Sequence, residues 1–340
     1  MSEDRYSRQM LFSPIGSRGQ KRIKEKHVLI IGAGALGTSN AEALVRAGIG
    51  KLTIVDRDYV EWSNLQRQQL YNEDDAKERL PKTVAAEKRL REINSAVDIE
   101  GHIMDIMPEE LIRLVQGVDL IMDATDNFDT RMMINDVSQK YGIPWIYGAC
   151  VGSYGVSFTI IPGITPCLQC LIERVPIGGL TCDTAGIISP AVSMVASYQT
   201  TEALKLLVED FDALSQKLLS FDLWRNEHTE MDVRKLKREE CASCGEQRIY
   251  PFLKYENQTK TAVLCGRDSV QIRPSSPLEV NLRTIAESLK SKGVQADVTP
   301  YLVSIQVPPF RMVLFKDGRT LIHGTKDMKE AKSIYHRYLG

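Results

Sequence analysis

The chain has 340 residues, of which 43% are hydrophobic and 26% are charged, and its formal net charge is −1. This balance is typical of a globular protein and argues against a nucleic-acid partner, while no apolar run reaches the roughly 18 residues that a membrane span needs. The N-terminus MSEDRYSRQM lacks the apolar core of a secretion signal, so we expect a cytoplasmic protein. The length predicts two domains.

Strand and helix patterns alternate through the first part of the chain. Residues 5–26 predict a helical arm. In the stretch HVLIIGAGALG at 27–37, the apolar run VLII at 28–31 predicts a strand that leads into the glycine turn and a helix. The further predicted elements are a strand at 51–56, helices at 81–94 and 108–116, and strands at 97–102, 118–123, 145–149 and 156–161. This alternation predicts a doubly wound, mostly parallel, Rossmann-like α/β sheet.

The second part of the chain is less regular. An irregular stretch at 162–190 has the length typical of a functional loop, and a predicted helix at 191–208 and a strand pattern at 221–233 follow it. After residue 248 the pattern changes to short strands at 261–265, 301–307 and 311–315, a helix at 278–292 and a final helix. We therefore divide the chain into a domain of residues 1–248 and a small α+β domain of residues 249–340, to which the sequence assigns no role.

The glycine turn is a phosphate-binding signal. Gly32 allows the tight turn, Gly34 lets a phosphate approach the backbone, and Gly37 lets the helix pack closely on the strand. Ala35 can offer only its backbone N–H. Asp56 ends the next strand 24 positions after Gly32, near the ~20-residue spacing of a carboxylate that binds ribose. Taken alone, this pattern favours an NAD- or FAD-binding fold.

Charged residues after the second strand favour a nucleoside triphosphate instead. The segment SNLQRQ at 63–68 brings an amide and the guanidinium of Arg67, and Lys82 follows 15 residues later. A triphosphate carries about four negative charges, which arginine and lysine neutralise. Either cation alone would be interpreted as a solvated surface charge. A second acidic segment, DATDN at 123–127, follows an apolar strand; we choose Asp126 as the Mg²⁺ ligand and expect Asp123 to end the strand or cap the next helix.

Four of the seven cysteines form two C-x-x-C pairs, which are Cys167 with Cys170 and Cys241 with Cys244. Each pair matches half of a tetrahedral four-thiolate zinc site, so we predict a structural Zn²⁺ that pins the irregular stretch. The alternative is a redox dithiol. Cys182 lies in that stretch, where it could reach a bound acyl group or be an unreactive thiol.

Taken in order, these motifs make the chain resemble the ubiquitin-activating-enzyme-like superfamily, and within it the MoeB/ThiF/HesA family of sulfur-carrier adenylyltransferases. The resemblance covers residues 4–248, and its motifs are RYSRQ, GAGALG, DRD at 56–58, SNLQRQ, P-K-x-x-A-A at 81–86, ATDN and the two C-x-x-C pairs. Longer relatives append a rhodanese domain, but CGR at 265–267 leads directly into DSVQI, so the rhodanese active loop is absent.

The resemblance implies a homodimer that uses ATP, Mg²⁺ and structural Zn²⁺. The implied reaction is attack by the C-terminal Gly-Gly carboxylate of a ubiquitin-like sulfur carrier, similar to MoaD or ThiS, on the α-phosphate of ATP. It releases pyrophosphate and primes the carrier for thiocarboxylate formation; a sulfurtransferase or cysteine desulfurase is a further candidate partner. We favour the molybdopterin-pathway carrier slightly. The alternatives are an NAD-dependent oxidoreductase and a non-catalytic zinc scaffold.

The resemblance also implies roles for particular residues. Arg8 reaches the partner subunit's ATP site, and Cys182 occupies the place of a loop cysteine that can join the activated carrier in thiamin-pathway relatives. Charge on the phosphates is stabilised by Asn64, Arg67 and Lys82, and Asp126 positions Mg²⁺. The implied ATP contacts are Gly32, Gly34, Ala35, Gly37, Asp56, Asp58, Ser63, Asn64, Arg67, Lys82, Asp126 and Asn127.

Overall fold

The structure, a computed structural model, describes residues 5–172, 185–254, 261–264, 269–273 and 279–339. Cys182 lies outside these residues. The chain divides into two compact units, the first of residues 1–179 and 187–257 and the second of residues 180–186 and 258–340. No helix among the described residues has the length and apolarity needed to cross a membrane.

The described part of the first unit is built on an eight-stranded sheet. Its strands are β1 (His27–Ile31), β2 (Lys51–Asp56), β3 (Asp98–Ile103), β4 (Leu120–Asp123), β5 (Trp145–Val151), β6 (Tyr154–Ile160), β7 (Lys217–Asp222) and β8 (Glu227–Asp232). They lie in the order β3-β2-β1-β4-β5-β6-β7-β8. Neighbours from β3 to β5 are parallel, and the remaining pairs are antiparallel. The predicted α/β fold with a mostly parallel sheet is confirmed.

Helices cover both faces of this sheet. They are α1 (Ser7–Leu11), α2 (Gly16–Glu25), α3 (Ala35–Ala47), α4 (Glu73–Lys77), α5 (Lys82–Ile93), α6 (Pro108–Leu114), α7 (Phe128–Tyr141), α8 (Leu168–Ile172) and α9 (Ser189–Leu207). Because side chains alternate along a strand, Val28 and Ile30 join the core under α3, α5 and α9, whereas Leu29 and Ile31 join the core under α6 and α7. Burial on both faces explains the unbroken apolar run of β1.

The described part of the second unit is an antiparallel sheet with two helices. Its strands are β9 (Thr261–Leu264), β10 (Ser269–Ile272), β11 (Gln295–Val298), β12 (Leu302–Val307), β13 (Phe310–Phe315) and β14 (Thr320–His323), in the order β11-β12-β13-β14-β10-β9. Helices α10 (Leu282–Ser291) and α11 (Met328–Leu339) contribute Ala286, Leu289 and Ile334 to a core shared with this sheet. The predicted small α+β module is confirmed as a fold.

Candidate active site

The site lies at the carboxyl ends of β1 and β4. The chain order of the parallel strands reverses between these two neighbours, and open α/β sheets bind their ligands at such a point. The glycine turn follows β1, and the segment of residues 123–127 follows β4. Two segments that the sequence singled out independently therefore meet at one edge of the sheet.

The three glycines of the turn meet different surroundings. Gly32 has φ +101°, and a Cβ added there would lie 2.3 Å from the carbonyl oxygen of Ala124. At Gly37 an added Cβ would lie 1.9 Å from the carbonyl oxygen of Gly32. An added Cβ at Gly34 would meet nothing within 4 Å. Gly32 and Gly37 are therefore required by packing, whereas Gly34 faces open space that a ligand can occupy.

Helix α3 directs its positive end at this space. Gly34 is its N-cap residue and Ala35 its first residue, and no side chain of the described chain caps it. The N–H groups of a first helical turn have no partner within the helix and attract an anion. The turn and the helix together fit a phosphate group.

Asp56 supports the turn from the end of β2. Its Oδ2 accepts a hydrogen bond of 2.6 Å from the N–H of Ala33, and its Oδ1 accepts one of 2.7 Å from the N–H of Asp58. Burial raises the pKa of Asp56, and the nearby ammonium of Lys82 opposes that rise. The carboxylate thus fixes the backbone on two sides, at Ala33 and at Asp58.

Lys82 is a buried cation at the start of α5. Its Nζ lies 3.5 Å from Oδ2 of Asp58, and the two side chains are 7% and 15% exposed. The backbone N–H of Lys82 also donates to the carbonyl oxygen of Asp58 at 2.9 Å. The ammonium group is therefore held beside Asp56 and Asp58 rather than in solvent.

The SNLQRQ segment begins with a 3-10 turn at Trp62–Asn64. The buried Asn64 accepts a hydrogen bond of 3.1 Å from the N–H of Glu61 through its Oδ1. Arg67 donates to the carbonyl oxygen of Ser63 at 2.8 Å, and among the described residues no carboxylate pairs with its guanidinium. The local fold thus orients Asn64 and leaves the charge of Arg67 available for a phosphate.

The two aspartates of DATDN have different surroundings. Asp123 is fully buried; its Oδ2 lies 2.9 Å from Nε of Arg131, and its Oδ1 accepts from the N–H and the hydroxyl of Thr125 at 2.9 and 2.8 Å. The side chain of Asp126 is 73% exposed. Asn127 caps α7, because its Oδ1 accepts a hydrogen bond of 2.8 Å from the N–H of Thr130. Of these residues, Asp126 has the carboxylate that a metal can reach.

Sequence reasoning missed one charged pair at this edge. Nη1 of Arg57 lies 3.2 Å from Oδ1 of Asp105, and its Nη2 lies 3.9 Å from Oδ1 of Asp126. Burial alone would lower the pKa of Arg57, but the nearby carboxylates together have the larger effect, so the pKa of Arg57 is raised. Arg57 lies inside the DRD motif, so its position was visible, but its partner is 48 residues away and has no motif of its own.

The structure brings the four cysteines of the C-x-x-C pairs together. Their Sγ atoms all lie within 4.8 Å of one another, with 3.9 Å between Cys167 and Cys170, 3.6 Å between Cys167 and Cys241, and 3.5 Å between Cys170 and Cys244. All four are buried. Hydrogen bonding with Cys167 lowers the pKa of Cys170 to about 6 and also lowers that of Cys241, whereas hydrogen bonds to the other cysteines raise the pKa of Cys167. At Cys244 the hydrogen bond to Cys167 lowers the pKa, but those to Cys170 and Cys241 together raise it further, so the pKa of Cys244 is raised. Four cysteine sulfurs this close together form the donor set of a tetrahedral zinc site.

The surroundings of this cysteine cluster hold it in place. Ser243 donates to the buried Asp136 of α7 and lies 2.7 Å from Oε1 of Gln169. Asp136 also accepts a hydrogen bond of 2.8 Å from the N–H of Phe252. Burial raises the pKa of Asp136 to about 6 against the effect of these hydrogen bonds. The cluster therefore ties α8 and the segment after β8 to α7.

Arg8 is exposed on α1, and within the described chain no carboxylate pairs with it. Its predicted role needs a second subunit, so it stays a prediction. The residues that the structure does bring together at the sheet edge are the glycine turn, Asp56, Asp58, Lys82 and Asp126.

Comparisons with known proteins agree with this geometry. A family model described as ThiF family matches residues 6–243. The sulfur carrier protein ThiS adenylyltransferase of Bacillus subtilis is 57% identical over 336 residues, which are 99% of this chain and 99% of that protein. The sulfur carrier protein adenylyltransferase of Thermus thermophilus is 36% identical over 251 residues, 72% of this chain and 91% of that protein.

Among solved structures, the fold is similar to that of MccB from E. coli. The TM-score is 0.64 at 22% sequence identity, and the match covers 73% of this chain and 74% of MccB. PaaA gives a TM-score of 0.59 at 25% identity, with 68% of this chain and 83% of PaaA covered. The family model ends before the second unit, whereas the B. subtilis protein matches this chain over almost its whole length.

Proposed function

Because the chain belongs to the ThiF family, we propose that it is an ATP-dependent adenylyltransferase acting on the C-terminal carboxylate of a ThiS-like sulfur carrier. The observation that carries this proposal is 57% identity, over nearly the whole of both chains, to a protein named for that activity. The same similarity reverses the slight preference for a molybdopterin-pathway carrier. The relatives give no support to the oxidoreductase alternative.

The site's residues fit the proposed reaction. An oxygen of the carrier's carboxylate attacks the α-phosphorus of ATP, and the bond between that phosphorus and the pyrophosphate oxygen breaks. Negative charge accumulates on the phosphates, where the first-turn N–H groups of α3, Lys82 and Arg67 would stabilise it. Asp56 would bind the ribose. These groups are preorganised by the contacts described above, so little rearrangement opposes catalysis.

A divalent cation fits Asp126. The carboxylate is an oxygen ligand of the kind that Mg²⁺ prefers, and it is the exposed acid of the DATDN segment. Bound there, Mg²⁺ would neutralise phosphate charge. Asp123 cannot serve in its place, since Arg131 and Thr125 occupy its oxygens.

A structural zinc ion fits the cysteine cluster. Four thiolates at about 2.3 Å from zinc place tetrahedral sulfurs about 3.8 Å apart. Three Sγ–Sγ distances in the cluster, 3.5 to 3.9 Å, bracket that value. Four ligands leave no open coordination position, so we assign the ion to stability rather than catalysis.

We further propose a cytoplasmic homodimer in which the N-terminal arm contacts the second subunit. Leu11 and Phe12 are 73% and 62% exposed, and they stand on the same arm as Arg8. Covering these two side chains would bring Arg8 to the other chain. We also propose a covalent role for Cys182 and a sulfurtransferase or cysteine desulfurase as a further partner. The division into a catalytic domain of residues 1–248 and a domain of residues 249–340 is a proposal as well.

The decisive experiment is the exchange of labelled pyrophosphate into ATP with a ThiS-type carrier that ends in Gly-Gly. We expect exchange that requires Mg²⁺ and the carrier, and none with a carrier lacking the last glycine. A MoaD-type carrier tests specificity. Absence of exchange with both intact carriers would overturn the proposal.

Asp126→Ala provides the matched test of the metal assignment. The variant should abolish exchange and leave the melting temperature unchanged, because the side chain is 73% exposed. Asp129→Ala, a substitution of the exposed aspartate in the first turn of α7, is the control and should retain exchange. Wild-type exchange by Asp126→Ala would show that Asp126 does not hold Mg²⁺.

A further inference from the structure

Side chains bind both backbone groups of one residue in the glycine turn, Ala33. The N–H of Ala33 donates to Asp56, and the carbonyl oxygen of Ala33 accepts a hydrogen bond of 2.6 Å from the hydroxyl of Tyr71. Ala33 is fully buried, and Tyr71 is only 7% exposed and belongs to the same apolar core. Tyr71 lies 38 residues from Ala33, outside every motif that the sequence singled out.

The hydrogen bond to Tyr71 fixes the direction of the next N–H group. In a planar trans peptide, the carbonyl of Ala33 and the N–H of Gly34 point in opposite directions. The carbonyl points at the buried hydroxyl of Tyr71, so the N–H of Gly34 points away from the core. The surroundings of Gly34 are open, because an added Cβ there meets nothing within 4 Å. The N–H is thus directed away from Tyr71, at the N-terminus of α3.

Without this hydrogen bond the peptide would be less constrained. Glycine accepts a wide range of backbone conformations, so the peptide before Gly34 can rotate more easily than one between two larger residues. Tyr71 is suited to the constraint because it stays protonated: burial raises its pKa well above the ordinary value, and Asp56, Asp75 and Asp58 raise it further. Its hydroxyl is thus a permanent donor at physiological pH.

We propose that Tyr71 is a positioning residue for the phosphate-binding turn, which aims the N–H of Gly34 at a phosphate of the bound nucleotide by holding the carbonyl of Ala33. The inference rests on the proposed function for the identity of the nucleotide as ATP. Tyr71 should contribute to the affinity for the phosphates of the nucleotide and not to the affinity for its base or ribose.

Calorimetric binding of ATP and of adenosine to Tyr71→Phe tests this. Phenylalanine keeps the ring in the core and removes only the hydroxyl. We expect ATP affinity to fall roughly three- to tenfold, the usual effect of one hydrogen bond, while adenosine affinity stays at the wild-type value. In steady-state exchange, KM for ATP should rise by a similar factor with kcat little changed.

Tyr198→Phe is the matched control. Its hydroxyl lies 3.2 Å from Nε2 of His228, between α9 and β8, so the variant loses the same chemical group at another place. It should bind ATP and adenosine as the wild type does. Unchanged ATP affinity in Tyr71→Phe, or equal losses for ATP and adenosine, would overturn the positioning role.

The same experiment separates this inference from the proposed function. A wild-type protein that binds NAD and not ATP would contradict the adenylyltransferase proposal. The affinities of Tyr71→Phe and the wild type would then be compared for NAD and for adenosine. We expect the variant to lose affinity for NAD alone, because the phosphates of NAD would contact the same turn. Melting curves of both variants show whether the fold is retained.

Discussion

Replacing Cys241 and Cys244 together with serine should remove a cross-link between distant parts of the first unit. The cluster joins Cys167 to Cys241, which are 74 residues apart. If the cluster is treated as a covalent cross-link, closing a loop of this length lowers the conformational entropy of the unfolded chain. This raises the free energy of the unfolded state by about 4 kcal/mol at 25 °C. For a domain of roughly 250 residues, each kcal/mol shifts the melting temperature by 2–4 °C, so the expected decrease is about 8–16 °C.

The assay combines metal analysis with thermal unfolding. Wild-type protein should contain one zinc ion per chain, and the double variant should contain none because two ligands cannot hold a structural site. Cys150→Ser is the control: Cys150 lies half-buried in β5, outside the cluster, and its variant should keep both the zinc and the melting temperature. Chelation of zinc from the wild type should reproduce the instability of the double variant.

Two results would refute this reasoning. Zinc retained in the double variant would show that other ligands bind the ion. Loss of zinc with an unchanged melting temperature would show that the hydrogen bonds of Ser243 and Asp136 suffice to hold the two segments together.

Two further predictions concern the turn and β1. Gly34→Ala should change the melting temperature by less than about 2 °C, because the added Cβ meets nothing within 4 Å. It should weaken ATP binding at least about tenfold, because the methyl group fills the open space beside the turn. Gly37→Ala should fail to fold or melt at a much lower temperature, because its Cβ would lie 1.9 Å from the carbonyl oxygen of Gly32. Calorimetry that finds unchanged ATP affinity for Gly34→Ala would contradict this. Burial, with help from Lys51, lowers the pKa of His27 below 6.5, so the unfolded chain takes up the proton first and stability declines as pH falls through 6.5. His27→Gln should flatten the fall in melting temperature between about pH 7 and 5, and an unaltered slope would argue against His27 as a source.

The sequence predicted the parallel half of the first sheet well, because its central strands β1, β2 and β4 are built around apolar runs. Strand β2 was predicted with its observed bounds, Lys51–Asp56, and β1 follows directly from the run before Gly32. The strands β10, β11 and β14 were not predicted. Each has four residues with polar side chains among them, so none stands out as an apolar run.

The candidate site was predictable where chemistry is concentrated in a motif and not where it depends on distant contacts. The turn, Lys82 and the cysteine pairs carry spacings that are informative in themselves. The contacts of Tyr71 with Ala33 and of Arg57 with Asp105 join residues 38 and 48 positions apart, and neither residue type is diagnostic alone. Only the fold, which sets strand ends side by side, reveals them.

The site has a rigid, buried floor and an exposed rim. Beneath the loop after β4, Arg131 pairs with Asp123 and donates to the carbonyl oxygen of Thr125 at 2.7 Å, while the buried Gln199 donates to the carbonyl oxygen of Asp123 at 2.9 Å. At the rim, Asp126 is mostly exposed. Leaving a buried polar group without its hydrogen-bond partner destabilises the fold, whereas exposed charges contribute little to folding. Substitutions in the buried floor of the site should therefore lower stability and activity together, and those at the rim should lower activity alone. A site built in this way is organised before a ligand binds, as the proposed electrostatic catalysis requires.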